Sequence, residues 1–102
     1  FGEASSGTSE NDPLPADKVI LYPNPAAGIA TLEISLETDT ELSVSVFDIT
    51  GRKLETVRQG ILLKGENRMA IDLDRYANGL YFCRITTPGR QVTKSIIKNS
   101  NH

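Results

Sequence analysis

Residues 42–54 constrain the fold more than any other stretch of this 102-residue chain. Leu42, Val44 and Val46 alternate with serines, and this is the period of a β-strand that has one face in a core and the other in water. The next four residues, Asp48-Ile49-Thr50-Gly51, predict a tight reversal. Asp caps backbone N–H groups at the first position of a type I turn, and Gly tolerates a positive φ at the fourth. The stretch is therefore predicted to form a β-hairpin.

Short runs with the same alternation recur along the chain, with turn residues about every 8–12 residues. Residues 58–65 predict either a short crossing segment or an edge strand. The inward-facing residues of the clearest other runs are Leu32, Ile34 and Leu36, then Met69, Ile71 and Leu73, then Tyr81, Cys83 and Ile85. About seven strands and no long helix predict an all-β domain, an antiparallel β-sandwich.

Residues 73–81 predict the place where the chain crosses between the two sheets. A one-turn helical crossover, followed by Gly79 and a Tyr that enters a strand, is how many sandwich domains change sheets. The hydroxyl of Tyr81 is expected to bond upstream backbone, as in a tyrosine corner. Apolar residues occupy both faces of the strand that follows, so we expect a central strand that is covered on both sides.

Residues 23–28 are punctuated by two prolines and a glycine. Pro23 and Pro25 each remove a donor from a strand ladder and favour an extended, kinked path. Asn24 can bond local backbone, and Gly28 permits a turn into the next strand. This stretch is predicted to be a rigid corner between strands.

The sequence lacks the residue groups that catalysis requires, namely a nucleophile, a base or a metal held in a cleft. His102 is the single His and lies at the terminus, and the single Cys, Cys83, has no partner and is expected to be a buried hydrophobe. The turn explains Asp48. No calcium loop and no phosphate-cradling glycine pattern is present. We therefore expect no enzymatic activity, no cofactor and no metal.

Composition bears on three classes of partner. The formal net charge is −2, which argues against nucleic acid or an acidic membrane, because either favours a basic patch. Sugar-binding sandwiches usually present exposed aromatic platforms, and this chain has no Trp. With the other tyrosines assigned to the corner, Tyr22 and Phe47 remain as candidates for such a platform.

Residues 1–17 differ in composition from the rest of the chain. They contain four acidic residues and no Lys or Arg, and they are rich in Gly, Ser and Pro, so they are predicted to be a flexible linker. No signal peptide opens the chain, and we interpret it as the C-terminal piece of a longer, exported protein. The candidate region for proteolytic cleavage consists of the small linker residues Ala4, Ser5, Ser6 and Gly7.

Five motifs occur in an order and spacing that resemble one known family. They are Tyr22-Pro23-Asn24-Pro25 with Gly28, Val46-Phe47-Asp48-Ile49-Thr50-Gly51-Arg52, Gly65-Glu66-Asn67, Gly79-Leu80-Tyr81-Phe82 and Thr93-Lys94-Ser95-Ile96-Ile97-Lys98. Over residues 18–98 the chain resembles the type A C-terminal sorting domain of the type IX (Por) secretion system of Bacteroidota. The resemblance implies an immunoglobulin-like antiparallel β-sandwich of about seven strands.

The resemblance also implies a role in export. A cargo domain upstream in the same chain would enter the periplasm, and the sorting domain would direct it through the type IX translocon to the cell surface or the medium. In many members a sortase-like protease cuts the linker, and the new end is joined to an anionic lipopolysaccharide or released. The residues that match the family motifs, and so are candidates for recognition, are Pro23, Asn24, Pro25, Gly28, Asp48, Gly51, Arg52, Gly79, Tyr81, Lys94, Ile96, Ile97 and Lys98.

The last strand is the predicted recognition surface. Residues 92–98 could lie at a sheet edge with unpaired backbone groups, where a partner can add a strand. Lys94 and Lys98 would then supply charge complementarity, and the family often has a third Lys where this chain has Ser95. Residues 99–102 are predicted to be a frayed tail. The alternatives left open are a retained adhesion or ligand-binding sandwich, a structural spacer, and an uncleaved sorting domain of a secretion-machinery component.

Overall fold

A computed structural model describes residues 19–100 of the chain, and these residues form seven strands in two sheets. In chain order the strands are β1 (Val19–Tyr22), β2 (Ile29–Leu36), β3 (Thr40–Phe47), β4 (Lys53–Leu62), β5 (Gly65–Asp72), β6 (Gly79–Thr87) and β7 (Arg90–Lys98). One sheet has the order β1-β2-β5 and the other the order β4-β3-β6-β7, and all neighbours are antiparallel. The predicted seven-stranded antiparallel sandwich is confirmed.

Two sequence-based assignments fall on residues that lie outside this description. They are the linker at residues 1–17, which includes the candidate cleavage region, and the terminal His102. Within the described range no segment is a helix that is long and apolar enough to cross a membrane.

The alternating apolar residues of the two sheets meet in one core. The largest fully buried side chains are Leu32, Ile34, Ile71, Leu73, Ile85, Ile96, Val44, Val46 and Cys83. Burial of such a side chain contributes about 1.5–3 kcal/mol relative to its exposure, so this core is the main source of stability. Cys83 is a buried free thiol, as predicted, and burial raises its pKa to about 12.

The predicted hairpin joins β3 to β4. The N–H of Gly51 donates to the carbonyl of Asp48 at 3.0 Å, and the N–H of Asp48 donates to the carbonyl of Arg52 at 3.0 Å. Gly51 has a φ of 88°, a conformation that side chains with a Cβ rarely adopt. The turn chemistry that the sequence predicted is therefore the chemistry that closes the hairpin.

The chain crosses between the sheets at the predicted tyrosine corner. The hydroxyl of Tyr81 donates to the carbonyl of Ala77 at 2.6 Å. A single turn, closed by a 3.0 Å bond from the N–H of Tyr76 to the carbonyl of Leu73, takes the place of the predicted one-turn helix. The Asp72 carboxylate accepts the N–H two residues on, and such side-chain bonds compete with helix formation.

Two further strand predictions are refined or corrected. Residues 58–62 do belong to an edge strand, but they continue β4, which pairs with β3 as far as Leu62 opposite Thr40. The expectation that β6 is covered on both sides is wrong. The four-stranded sheet has the other sheet on one side only, and Leu80 on the outer side of β6 is 39% exposed.

Candidate functional site

Four of the five motif stretches meet at one end of the sandwich. Because successive strands run in opposite directions, the β1–β2, β3–β4 and β5–β6 connections and the end of β7 all lie there. Hydrogen bonds join the β1–β2 connection to the end of β7 and to the β5–β6 connection, the last through a bond of 2.8 Å from the N–H of Leu73 to the carbonyl of Gly28. We call residues 23–28, 48–52, 73–79 and 96–100 the motif end. The fifth stretch, Gly65-Glu66-Asn67, begins β5 at the opposite end.

The side chain of Asn24 bonds the backbone of β7. Its Nδ2 donates to the carbonyl of Ser95 at 3.2 Å, and its Oδ1 accepts the N–H of Ile97 at 3.0 Å. One amide therefore satisfies a backbone acceptor and a backbone donor that the edge strand would otherwise expose. Asn24 lies in the predicted corner, but its partner is 73 residues away in sequence.

Ala26 continues the same contact along the strand. Its N–H donates to the carbonyl of Ile97 at 2.8 Å, and its carbonyl accepts the N–H of Asn99 at 2.9 Å. Ala26 is completely buried and forms a parallel bridge with Lys98. We call Asn24 and Ala26 together the clasp, because they cover the outer edge of β7 from Ser95 to Asn99.

A second asparagine holds the chain beyond β7. The Nδ2 of Asn78 donates to the carbonyl of Ser100 at 3.1 Å, and its Oδ1 accepts the N–H of Ser100 at 3.0 Å. Residues 99 and 100, the first two of the predicted four-residue tail, are thus hydrogen-bonded, and the other two lie outside the described residues. Sequence reasoning missed Asn78 because Asn before Gly is an ordinary turn pair, and it missed Ala26 because a backbone contact has no side-chain signal.

β7 lies at the edge of the four-stranded sheet, as predicted, but only part of this edge is open. The clasp occupies residues 95–99, and on the outer side no described strand pairs with residues 91–94. Strand addition to the folded domain therefore has the first half of β7 as its available template.

Of the two β7 lysines that were expected to supply charge to a partner, Lys98 is not exposed. Its side chain is 8% exposed, and its Nζ donates to the carbonyl of Tyr76 at 2.8 Å. Lys94 is partly buried. Side chains alternate between the two faces of a strand, so Lys94 and Lys98 lie on the same side of β7 as the core residue Ile96. This placement explains the burial of both lysines.

The hairpin turn places a carboxylate in a ring of donors. Oδ1 of Asp48 accepts the hydroxyl of Thr50 at 2.6 Å and the N–H groups of Thr50 and Arg52 at 2.9 and 3.0 Å. These bonds, that of the Thr50 hydroxyl above all, hold the pKa of Asp48 below its usual range. The guanidinium of Arg52 lies 3.5 Å from Oδ2, and its side chain is 76% exposed. Arg52 is therefore the cation that this turn offers to solvent.

Tyr76 ties the crossover to the beginning of β4. Its hydroxyl donates to the carboxylate of Glu55, which also lies 3.4 Å from the guanidinium of Arg75. Burial, and then the bond to Glu55, raise the pKa of Tyr76 to about 12. Its ring lies 5.4 Å from that of Tyr81. Contacts of the Tyr76 side chain to β4 and β6 thus hold the residue whose backbone carbonyl accepts the hydrogen bond from Lys98.

The described residues show neither a metal centre nor a shared aromatic platform. Residues 19–100 contain no group of three or more His, Cys, Asp or Glu side chains that could hold a metal. Tyr22 is bonded to Glu33 and lies on the three-stranded sheet, whereas the guanidinium of Arg84 covers the ring of Phe47 at 4.4 Å on the other sheet. The two aromatic candidates for sugar binding are therefore separated.

Comparison with known proteins gives one positive finding. No curated protein matches the chain. A family model described as the secretion system C-terminal sorting domain matches residues 20–99. The match starts at the second residue of β1 and ends one residue after β7, so it includes residues of all seven strands.

Proposed function

The chain belongs to the family of secretion system C-terminal sorting domains of the type IX system, and from this premise we propose that its motif end is the surface that the type IX translocon recognises. The family is a class of sorting signals and not a class of enzymes, and such a domain directs the protein that carries it across the outer membrane to the cell surface or the medium.

One observation carries the proposal: residues distant in sequence that match the family motifs come together at one end of the fold. The side chain of the clasp residue Asn24 bonds the backbone of Ser95 and Ile97. The carbonyl of Gly28 accepts the N–H of Leu73, which begins the crossover that leads to Gly79. A composite surface of this kind exists only in the folded domain. The proposal is therefore that the translocon recognises a folded shape and not an extended tail.

We further propose that the export signal is removed by cleavage. A sortase-like protease would cut within residues 1–17, with residues 4–7 as the candidate region, and would separate an upstream cargo from the sandwich. The support is the family membership and the small residues of this stretch. Mass spectrometry of the mature surface protein tests it, because cleavage predicts a C-terminus within residues 1–17. An intact Lys98 would overturn cleavage and favour a retained module.

Export of a reporter tests the recognition surface. Residues 1–102 are fused to a periplasmic reporter in a strain with a working type IX system and in a strain without one. The fusion should reach the cell surface only in the former. Periplasmic retention in both would overturn the proposed function.

Matched variants locate the surface. Arg52→Gln alters an exposed cation at the motif end, and Lys64→Gln alters an exposed cation at the opposite end. We expect Arg52→Gln to lower export by about tenfold, as truncation of an interface hot spot does, and Lys64→Gln to leave it unchanged. Equal export by both variants, with equal thermal stability, would overturn recognition at the motif end.

A further inference from the structure

The outer face of the four-stranded sheet is apolar next to the motif end. Residues opposite each other on paired strands project to the same side of a sheet, so Phe47 lies beside Phe82, and Leu80 lies beside Ile97, on this face. Leu80 is 39% and Ile97 45% exposed, and both rings are partly exposed. We call these four residues and Arg84, the next outward residue of β6, the Arg84 face.

The outer face of the four-stranded sheet is more polar on the side of Arg84 that is farther from the motif end. Most outward residues at and beyond Arg84 carry hydroxyl or amide groups, and they are Ser43, Ser45, Gln59, Thr86, Gln91 and Thr93. Glu41 and the exposed Ile61 lie opposite each other at the far end of the same face. An apolar patch bounded by small polar residues marks an interaction site more often than scattered apolar residues do.

Arg84 has an unsatisfied donor. Its guanidinium stacks on the ring of Phe47 at 4.4 Å, and its buried Nε has no hydrogen-bond partner among residues 19–100. Its cross-strand neighbours on this face are Ser45 and Thr93, neither of which carries charge. A buried N–H without a partner costs about 1–3 kcal/mol, so the arrangement is one that a further acceptor would stabilise.

The chemistry of the face defines its occupant. Leu80, Ile97 and the two rings require apolar contact, and the guanidinium fork of Arg84 suits a carboxylate. A symmetric contact with a second copy of this chain, centred on Arg84, would bring two Arg84 side chains together and leave this cation without a carboxylate. It would also add Lys53, which lies opposite Phe47 on the same side.

We propose that the Arg84 face docks a protein of the export machinery that presents a carboxylate next to an aliphatic or aromatic side chain. This inference rests on the proposed function and names the chemistry of the partner. It also gives the clasp a role. Asn24 and Ala26 bond the N–H and the carbonyl of Ile97, so the clasp fixes the backbone that carries an apolar contact residue of the docking face.

Paired variants of the reporter fusion test the docking face. Leu80→Ser and Arg84→Gln remove an apolar contact and the cation. Ile20→Ser and Arg58→Gln are the matched controls, because Ile20 is 52% exposed on the other sheet and Arg58 is an exposed cation on β4. We expect the first two to lower export by about tenfold and the controls to change it by less than about twofold. Export of all four variants at the parent level would overturn docking, whereas failure of the parent fusion would instead overturn the proposed function.

Cross-linking in cells provides a second measurement that does not depend on the stability of those variants. A photoreactive residue in place of Leu80 should cross-link to a protein other than this chain in the export-competent strain, and a second substitution, Arg84→Glu, should abolish that product. The same probe in place of Ile20 should not give it. A product with a second copy of the chain, a product with lipid, or no product would overturn the proposal.

Discussion

Asp48 shows at the scale of one residue how a side chain both closes a turn and makes stability depend on pH. Its folded-state pKa lies below the ordinary value of 3.8, chiefly because the Thr50 hydroxyl bonds the carboxylate. A carboxyl whose pKa is lower in the folded than in the unfolded state stabilises the fold above the unfolded value. That contribution is lost as the pH falls through the folded value.

We therefore expect Asp48→Asn to lower the urea midpoint of unfolding at neutral pH. The deficit relative to the parent should shrink as the pH falls below 3.8, because the parent then loses the same charge. Urea titrations of both proteins over a series of pH values measure this. A deficit that stays constant down to the most acidic condition would show that the charge of Asp48 is not the cause.

Cys83 gives a second residue-scale prediction, on reactivity. The thiolate is the reactive form, and burial at 1% exposure with a pKa of about 12 leaves almost none of it at neutral pH. We expect an aromatic disulfide reagent to label the folded protein only at the rate of unfolding, and to label it at once in concentrated urea. Immediate labelling without denaturant would contradict the burial of this thiol.

The clasp is the feature that matters most at the scale of the element. A terminal edge strand exposes backbone groups that invite pairing with other chains, and Asn24 and Ala26 satisfy those of its second half. The family motif that contains Asn24 thus has a structural task in the folded domain. It fixes the end of β7 and the orientation of Ile97.

Asn24→Ala should lower the free energy of unfolding by about 1–2 kcal/mol, since it removes two hydrogen bonds of about 0.5–1.5 kcal/mol each. It should also speed the exchange of the Ile97 amide proton. Asn67→Ala is the matched control, because the side chain of Asn67 also makes two hydrogen bonds to backbone, donating to the carbonyls of Leu63 and Gly65, but at the opposite end.

Denaturant titration and amide exchange measured on both variants separate local from global effects. Faster exchange of Ile97 in Asn24→Ala but not in Asn67→Ala is the expected result. Equal acceleration in the two variants would mean that Asn24 acts only through overall stability and that no clasp exists.

At the scale of the whole molecule, both sheets share one core, and two of the five strand pairings join strands that are not consecutive in the chain. β2 pairs with β5, for example, with Ile29 opposite Asp72. Such non-local pairing requires long loops to close before contacts form, so all-β sandwiches fold in about milliseconds to seconds. A single core also predicts one cooperative unfolding transition.

Stopped-flow refolding and equilibrium unfolding followed by two probes test this expectation. We expect one transition, at the same midpoint for near- and far-ultraviolet circular dichroism, and a refolding phase slower than about a millisecond. Two separated midpoints would show that the sheets unfold independently, which the shared core does not allow.

The sequence by itself determined the number and type of the strands, the Asp48–Gly51 turn and the tyrosine corner. Each rests on local chemistry: a period of two, a side chain that caps nearby N–H groups, or a hydroxyl that reaches a carbonyl four residues upstream. The period of two residues also predicts that Lys98 lies on the same side of β7 as the buried Ile96. The positive charge of Lys98 nevertheless favoured the interpretation that its side chain is exposed.

Only the tertiary structure decided which motifs meet, how much of the last edge is covered and where the apolar outer face lies. Asn24 and Ile97 are 73 residues apart, and the bond between them depends on the order of strands in two sheets. Strand order is set by the summed packing of the core and has no local mark in the sequence. For that reason many residues of the candidate site, Asn24 among them, could be named from the sequence, whereas Ala26, Asn78 and the arrangement of the site could not.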